Sequence, residues 1–186
     1  MNNPILPVTW VSALLDPGPQ HSRPMTPFVP QGLVLHSTAD PGATAQQIRN
    51  YFNSHRGASA HFAVDWAESL VLIPWEPHNS EIAWHAGPSA NIRFLGMECC
   101  EPADGPDATA QFQAVYATWI RAAADVLTMY EWPADENHVW SHARVSQTWP
   151  VETNHHDPLP FLTKYGVSWD EVMRDIVASM SKSPIE

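Results

Sequence analysis

The spacing of hydrophobic positions along the chain predicts alternating strands and helices. Short apolar runs with polar flanks lie at residues 33–38, 60–65, 70–75 and 94–100, and their length is typical of buried strands. The second and third runs are only a few residues apart, so they predict a hairpin. The pattern as a whole predicts one α/β domain with a mixed sheet and helices on its faces.

Three stretches carry apolar residues at helical spacing, and we expect a helix in each of them. The last begins with a capping box, in which Ser168 is followed three residues later by Glu171. The region between the second and third helices, residues 133–167, is rich in His, Trp and Pro and predicts a long irregular segment, which is usually functional. The three helices are expected over residues 44–54, 109–131 and 168–180, and Thr44 is the expected N-cap of the first.

The N-terminal part of the chain has a different character. Residues 1–31 hold seven of the 18 prolines. We therefore expect a Pro-rich arm packed on the domain, with one short strand near Val8–Val11, and a main domain over residues 32–186.

Composition and charge exclude several functions. The 186 residues include 9 Lys or Arg against 20 Asp or Glu, a net charge of −11, which is unsuited to nucleic acid or to an anionic membrane surface. No apolar run approaches the ~18 residues of a membrane helix, and the first residues lack the features of a signal peptide. We expect synthesis in the cytoplasm, no membrane insertion and a monomer. Cys99 and Cys100 are adjacent and do not indicate a disulfide scaffold.

Histidine is abundant, with ten residues, and several stand where a site is expected. His36 ends the first apolar run, His142 lies in the irregular segment, and His155, His156 and Asp157 follow one another. Histidine nitrogens and one carboxylate oxygen can hold Zn²⁺ with a position open for water. Spacing alone also allows these to be core or surface histidines.

Other catalytic motifs do not fit. The chain has no H-E-x-x-H, no G-x-S-x-G and no P-loop. The pair His155 and Asp157 has the spacing of an iron facial triad, but that site needs a later His and none follows His156.

Six segments in order resemble the zinc-dependent N-acetylmuramoyl-L-alanine amidases, a family that includes phage lysozyme-like amidases and peptidoglycan recognition proteins. The resemblance covers about residues 32–180 and implies a single catalytic domain with a central mixed sheet flanked by helices. The segments are LVLHST, SAHFAVD, WHAG, LGMECC, SHARVS and HHDPLP.

The resemblance implies roles for individual residues. Phage lysozyme-like members have a Tyr just before the strand histidine, whereas this chain has Ala60 before His61. The catalytic hydroxyl of that Tyr is therefore missing here, which leaves more of the proton transfer to the strand glutamate, Glu98. His142 and Asp157 are farther apart than in the shortest members, so His155 or His156 stays an alternative third ligand. The implied roles are zinc binding by His36, His142 and Asp157, catalysis by Glu98 and His155, and substrate binding by Trp84, His85 and Asn91.

The implied reaction is hydrolysis of the amide between N-acetylmuramic acid and L-alanine in peptidoglycan, as in cell-wall lysis by a phage endolysin. Zinc would polarise the carbonyl and acidify a water, and Glu98 would move the proton. Two alternatives stay open: a module that binds peptidoglycan without cutting it, and a cytoplasmic amidase that recycles muropeptides.

Overall fold

A six-stranded mixed sheet forms the centre of the protein in the computed structural model, which describes residues 8–18, 21–54 and 57–181. The strand order is β1-β4-β3-β7-β2-β8, and every neighbouring pair is parallel except β3 with β4. Strands β5 and β6 form a separate hairpin. The strands are β1 (Trp10–Ser12), β2 (Gly32–Ser37), β3 (Phe62–Val64), β4 (Ser69–Val71), β5 (Trp75–Glu76), β6 (Asn79–Ser80), β7 (Phe94–Cys99) and β8 (Val139–Ser141).

Two of the helices begin where their capping residues predict. The side chain of Thr44 accepts a hydrogen bond from the backbone of Gln47, and Ser168 and Glu171 form the expected capping box. None of the helices in the described ranges is long and apolar enough to cross a membrane. The helices are α1 (Ala45–Asn53), α2 (Pro88–Asn91), α3 (Ala108–Met129), α4 (His142–Thr148), α5 (Leu159–Lys164) and α6 (Trp169–Met180).

Helices cover both faces of the sheet. Leu95, Met97 and Cys99 alternate along β7 and share a hydrophobic cluster with residues of α3 and α6. The other face packs residues of α1, such as Ile48, against residues of β3 and β4. The expectation of a mixed sheet flanked by helices is confirmed.

The prediction of an irregular segment over 133–167 is wrong. This segment contains β8, α4 and α5, none longer than seven residues. Helices this short gain their stability from packing rather than from a periodic sequence, which is why no pattern reveals them. The hairpin prediction is confirmed by the antiparallel pairing of β3 with β4, although the strand ends before Pro74, which has no N–H to donate.

The N-terminal arm contributes an edge strand. Strand β1 pairs with β4, slightly later in the chain than expected. Residues 1–7 and 19–20 lie outside the described residues. The division of the chain at residue 31 stays a prediction.

Candidate metal centre and active site

Two histidines meet at the carboxyl edge of the sheet. Strands β2 and β8 are parallel, and Leu35 pairs with Ser141, so the residues that follow, His36 and His142, lie level with each other. Ser141 caps α4 by accepting a hydrogen bond from the backbone of Arg144, which places His142 at the start of the helix. The two imidazole centroids are 4.7 Å apart, and both histidines are buried.

Hydrogen bonds hold the loop after α4 against that helix. The backbone N–H of Ala143 donates to the carbonyl of Asp157 at 3.1 Å, and the hydroxyl of Ser146 donates to the carbonyl of His155 at 2.8 Å. These contacts return the chain to the site, so Asp157 reaches His142 although many residues separate them in sequence.

The carboxylate of Asp157 lies between the two histidines. Its Oδ2 is 3.0 Å from Nδ1 of His36, and its Oδ1 is 3.2 Å from Nδ1 of His142. The possible ligand atoms of the three residues all lie within 4.8 Å of one another. One ion could therefore contact all three side chains.

The remaining ring nitrogens of both histidines have partners. Nε2 of His36 is 3.0 Å from Nδ1 of His85, and Nε2 of His142 is 2.9 Å from the hydroxyl of Thr153. Each Nδ1 thus faces the carboxylate. Burial lowers the pKa of His36 although the neighbouring Asp157 opposes the shift, so its imidazole is neutral near pH 7.

The charge of the site also suits a cation. Burial by itself raises the pKa of Asp157, but hydrogen bonds with His142 and His36 outweigh it and hold this pKa far below its usual range. The result is an ionised carboxylate facing imidazole nitrogens. Two imidazole nitrogens and one carboxylate oxygen form a donor set that catalytic zinc uses, with a fourth position left open. The residues present therefore fit a zinc ion.

Glu98 lies beside this centre on the neighbouring strand. Its Oε2 is buried and has no hydrogen-bond partner within the described part of the chain. Burial, followed by the charges of Asp157 and Glu101, raises the pKa of Glu98 to about 8. The residue borders a cavity of about 280 Å³ that is lined by Thr38, Asp40, Ile48, Tyr51, Phe52 and Glu98.

His155 and His156 occupy the outer side of the site. The ring of His155 stacks on that of His142 at a centroid distance of 4.8 Å, and its Nδ1 is 3.7 Å from Oδ1 of Asp157. The side chain of His155 is 66% exposed. Both histidines border a cavity of about 480 Å³ lined also by Ser37, Ala39, Glu101, Asp157, Pro160, Phe161 and Lys164.

The three residues expected to bind substrate lie on one segment next to the centre. The side-chain oxygen of Asn91 is buried in the turn, where it accepts hydrogen bonds from the backbone N–H groups of His85 and Ala86, both at 2.9 Å. Both ring nitrogens of His85 are in contact with the protein. Trp84 is half-buried. Substrate binding by Trp84, His85 and Asn91 stays a prediction.

Sequence reasoning did not find some residues that hold the site together. Thr153 and Ser146 give no signal, because a hydroxyl in a polar loop is ordinary. Gly96 does give one, since a glycine inside a strand often marks a close approach by another group. A Cβ at Gly96 would lie 2.6 Å from Cγ of His85.

The chain matches the family described as N-acetylmuramoyl-L-alanine amidase over residues 25–160. A probable N-acetylmuramoyl-L-alanine amidase of Bacillus licheniformis is 36% identical over 52% of this chain and 28% of its own length. Protein Ami of Listeria monocytogenes is 30% identical over 76% of this chain and 15% of its own length. The chain thus spans less than a third of the length of these relatives.

Solved structures share the fold. The hydrolase AmiA of Staphylococcus aureus, crystallised with its ligand, has a TM-score of 0.78 at 22% identity, over 95% of this chain and 85% of that chain. The catalytic domain of XlyA has a TM-score of 0.70 at 24% identity, over 91% and 99% of the two chains.

Proposed function

The chain belongs to the N-acetylmuramoyl-L-alanine amidase family, and on that premise we propose that it hydrolyses the amide between N-acetylmuramic acid and L-alanine in peptidoglycan. The observation that carries the proposal is the convergence of His36, His142 and Asp157 beside Glu98. His36, His142 and Asp157 would hold one zinc ion. A bound zinc ion supplies Lewis acidity, which polarises a carbonyl and lowers the pKa of water.

Glu98 is the proposed catalytic acid and base. It would take a proton from the attacking water and return it to the amine of alanine as the C–N bond breaks. The products are then a free lactyl carboxylate and a peptide with a free amino terminus. The missing hydrogen-bond partner of its Oε2 leaves this carboxylate able to accept that proton.

His155 has the second catalytic role in the proposal. Its ring stacks on a proposed zinc ligand, and its exposed side chain can reach a substrate in the outer cavity. From there it would donate a hydrogen bond to the oxygen on which negative charge develops.

The carboxylates of the site favour amide cleavage over glycoside cleavage. A glycosidase needs two carboxylates that flank the sugar bond, one of them a proton donor. Asp157 is held between two histidines, and Glu101 accepts hydrogen bonds from the hydroxyl of Ser37 and the backbone of Ala39. Among these three carboxylates, Glu98 is the one with a buried oxygen that has no hydrogen-bond partner in the described part of the chain.

Action on the cell wall, as in an endolysin, follows from the proposed bond. The Staphylococcus epidermidis relative is named a bifunctional autolysin, and one solved neighbour is a mutant endolysin from Bacillus subtilis. Binding without cleavage would be expected if a ligand position held an incompetent side chain, but all three positions carry metal-binding groups. We therefore favour the enzyme over the binding module.

The test is digestion of purified peptidoglycan by the zinc-loaded protein, with products identified by mass spectrometry. We expect peptides with free amino-terminal L-alanine and no new reducing sugar ends. Asp157→Ala serves as the matched inactive control, because it removes the proposed charged ligand. Release of reducing ends without new amines would contradict the amidase proposal, and tight binding without any product would support the binding module instead.

A further inference from the structure

A chain of two partly buried hydrogen bonds runs from strand β7 to the proposed ligand His36. Nε2 of His85 is 3.0 Å from the carbonyl oxygen of Phe94, and Nδ1 of His85 is 3.0 Å from Nε2 of His36. The imidazoles of His36 and His85 meet edge to face. His85 therefore lies directly behind a proposed ligand, on the side away from Asp157.

The carbonyl of Phe94 determines the direction of both hydrogen bonds. A carbonyl oxygen only accepts, so the contact at 3.0 Å requires a proton on Nε2 of His85. In a neutral imidazole Nδ1 is then an acceptor, and its partner, Nε2 of His36, must donate. The remaining nitrogen of His36, Nδ1, lies 3.0 Å from Oδ2 of Asp157, and in the zinc-bound protein it would direct its lone pair at the metal.

The surroundings of His85 hold its ring in this place. A Cβ at Gly96 would lie 2.6 Å from Cγ and 2.8 Å from Nδ1 of His85, so only glycine at that position leaves room for the ring. The side chain of Asn91 fixes the backbone of His85 through a hydrogen bond of 2.9 Å. Among the described residues, the rings of His36 and His61 and the backbone of Gly96 also lie against the ring of His85, and none of these three carries a negative charge.

We propose that His85 is a positioning residue: it accepts a hydrogen bond from Nε2 of His36 and thereby holds the ring of His36 with Nδ1 directed at the metal. This role rests on the proposed zinc site. It differs from the substrate-binding role that the sequence implies for His85, because neither ring nitrogen is free to contact a substrate. Groups behind a metal-bound histidine typically change metal affinity 10- to 100-fold when they are removed.

Two substitutions at His85 separate this role from simple packing. His85→Leu fills space but cannot accept a proton, whereas the side-chain oxygen of His85→Asn can stand near the position of Nδ1. We expect the zinc dissociation constant, measured by competition with a chelator, to rise about 10- to 100-fold in His85→Leu and less than about 5-fold in His85→Asn. His78→Asn is the control for the loss of an exposed histidine and should bind zinc as the parent does.

Nitrogen NMR of the zinc-loaded parent at pH 8 provides a readout that packing alone would not change. We expect zinc to be bound at Nδ1 of His36 in the parent, with a slowly exchanging proton on Nε2, and we expect that proton to exchange faster in zinc-loaded His85→Leu. Zinc bound at Nε2 of His36 in the parent would overturn the proposal even if His85→Leu did not fold. Equal zinc affinities in the parent and a folded His85→Leu would also overturn it. A parent that binds zinc no better than His36→Ala would instead overturn the zinc site itself.

Discussion

His36 and Glu98 are register partners on the parallel strands β2 and β7. Side chains at paired positions of adjacent strands lie on the same face of the sheet, so the proposed ligand and the proposed base share the face that carries the candidate metal site. Because Gly96 occupies the preceding position on that face, the ring of His85 can lie behind His36. One pair of strands thus supports the proposed ligand, its proposed positioning residue and the proposed base.

The pairing predicts that Glu98→Gln separates catalysis from metal binding. Glutamine keeps the shape of the side chain but cannot accept the proton, so we expect kcat to fall at least about 100-fold while zinc content stays at the parental level. Turnover on peptidoglycan and zinc content are measured on the same preparation. Activity near that of the parent would mean that another group moves the proton, and His155→Ala would be the next variant.

The same substitution has a pH-dependent effect on stability in the metal-free protein. Burial is the main reason that the pKa of Glu98 is raised from 4.5 to about 8. Ionisation of Glu98 therefore destabilises the folded state. This loss of stability is absent below pH 4.5 and complete above pH 8. Glu98→Gln removes this loss of stability. We expect the variant to be more stable than the parent at pH 8, by on the order of 2–4 kcal/mol, and to match it near pH 4.5.

Urea unfolding in the presence of a chelator measures that difference. Zinc should reduce it, because a nearby cation stabilises the ionised carboxylate. Equal stability of parent and variant at pH 8 without metal would show that Glu98 is better solvated than its burial indicates.

Burial of His61 predicts a second pH effect, in which stability changes with pH in the opposite direction. Burial lowers the pKa of His61 to about 4, against a smaller opposing effect of its contact with the carbonyl of Glu81. In the unfolded chain, His61 therefore takes up a proton below about pH 6.5. In the folded protein, His61 takes up that proton only near pH 4. Stability should fall as the pH drops through this range, by up to about 1.4 kcal/mol per pH unit from this residue.

The variant for comparison is His61→Asn. In the parent, the backbone N–H of Gly96 donates a hydrogen bond to Nδ1 of His61 at 2.9 Å, and the side-chain oxygen of asparagine can still accept it. Other buried histidines are present in both proteins, so the difference between the two pH profiles isolates His61. We expect the variant to lose less stability between pH 6.5 and pH 4.5. Parallel profiles in urea unfolding without metal would be at odds with a neutral buried His61.

Much of the fold follows from local sequence patterns. The helix that starts after Thr44 and the one that starts after Ser168 are defined by their caps, and the strand that ends near His36 by its continuous apolar run. These signals lie within a few neighbouring residues. The α4 helix has a cap at Ser141, but its seven residues are too few to show a periodic apolar face. Burial of His142, Ala143, Val145 and Ser146 stabilises it.

The site shows the same division between local and long-range information. Residue types and the resemblance together suggested His36, His142, Asp157 and Glu98 as candidates. The hydrogen bond from Ala143 to Asp157 could not be predicted, because it joins segments with no common pattern. The positioning role proposed for His85 could not be predicted either, since it depends on the carbonyl of Phe94, a backbone group that any residue type provides.

Zinc content of purified protein, measured by elemental analysis together with peptidoglycan digestion, tests the central claim most directly. The account predicts about one zinc ion per chain in the parent and in Glu98→Gln, and almost none in folded His36→Ala or Asp157→Ala. Release of amino-terminal L-alanine should occur with the parent, stop on chelation and return when zinc is added. Full zinc content in His36→Ala, or undiminished release of L-alanine by metal-free parent, would contradict the account.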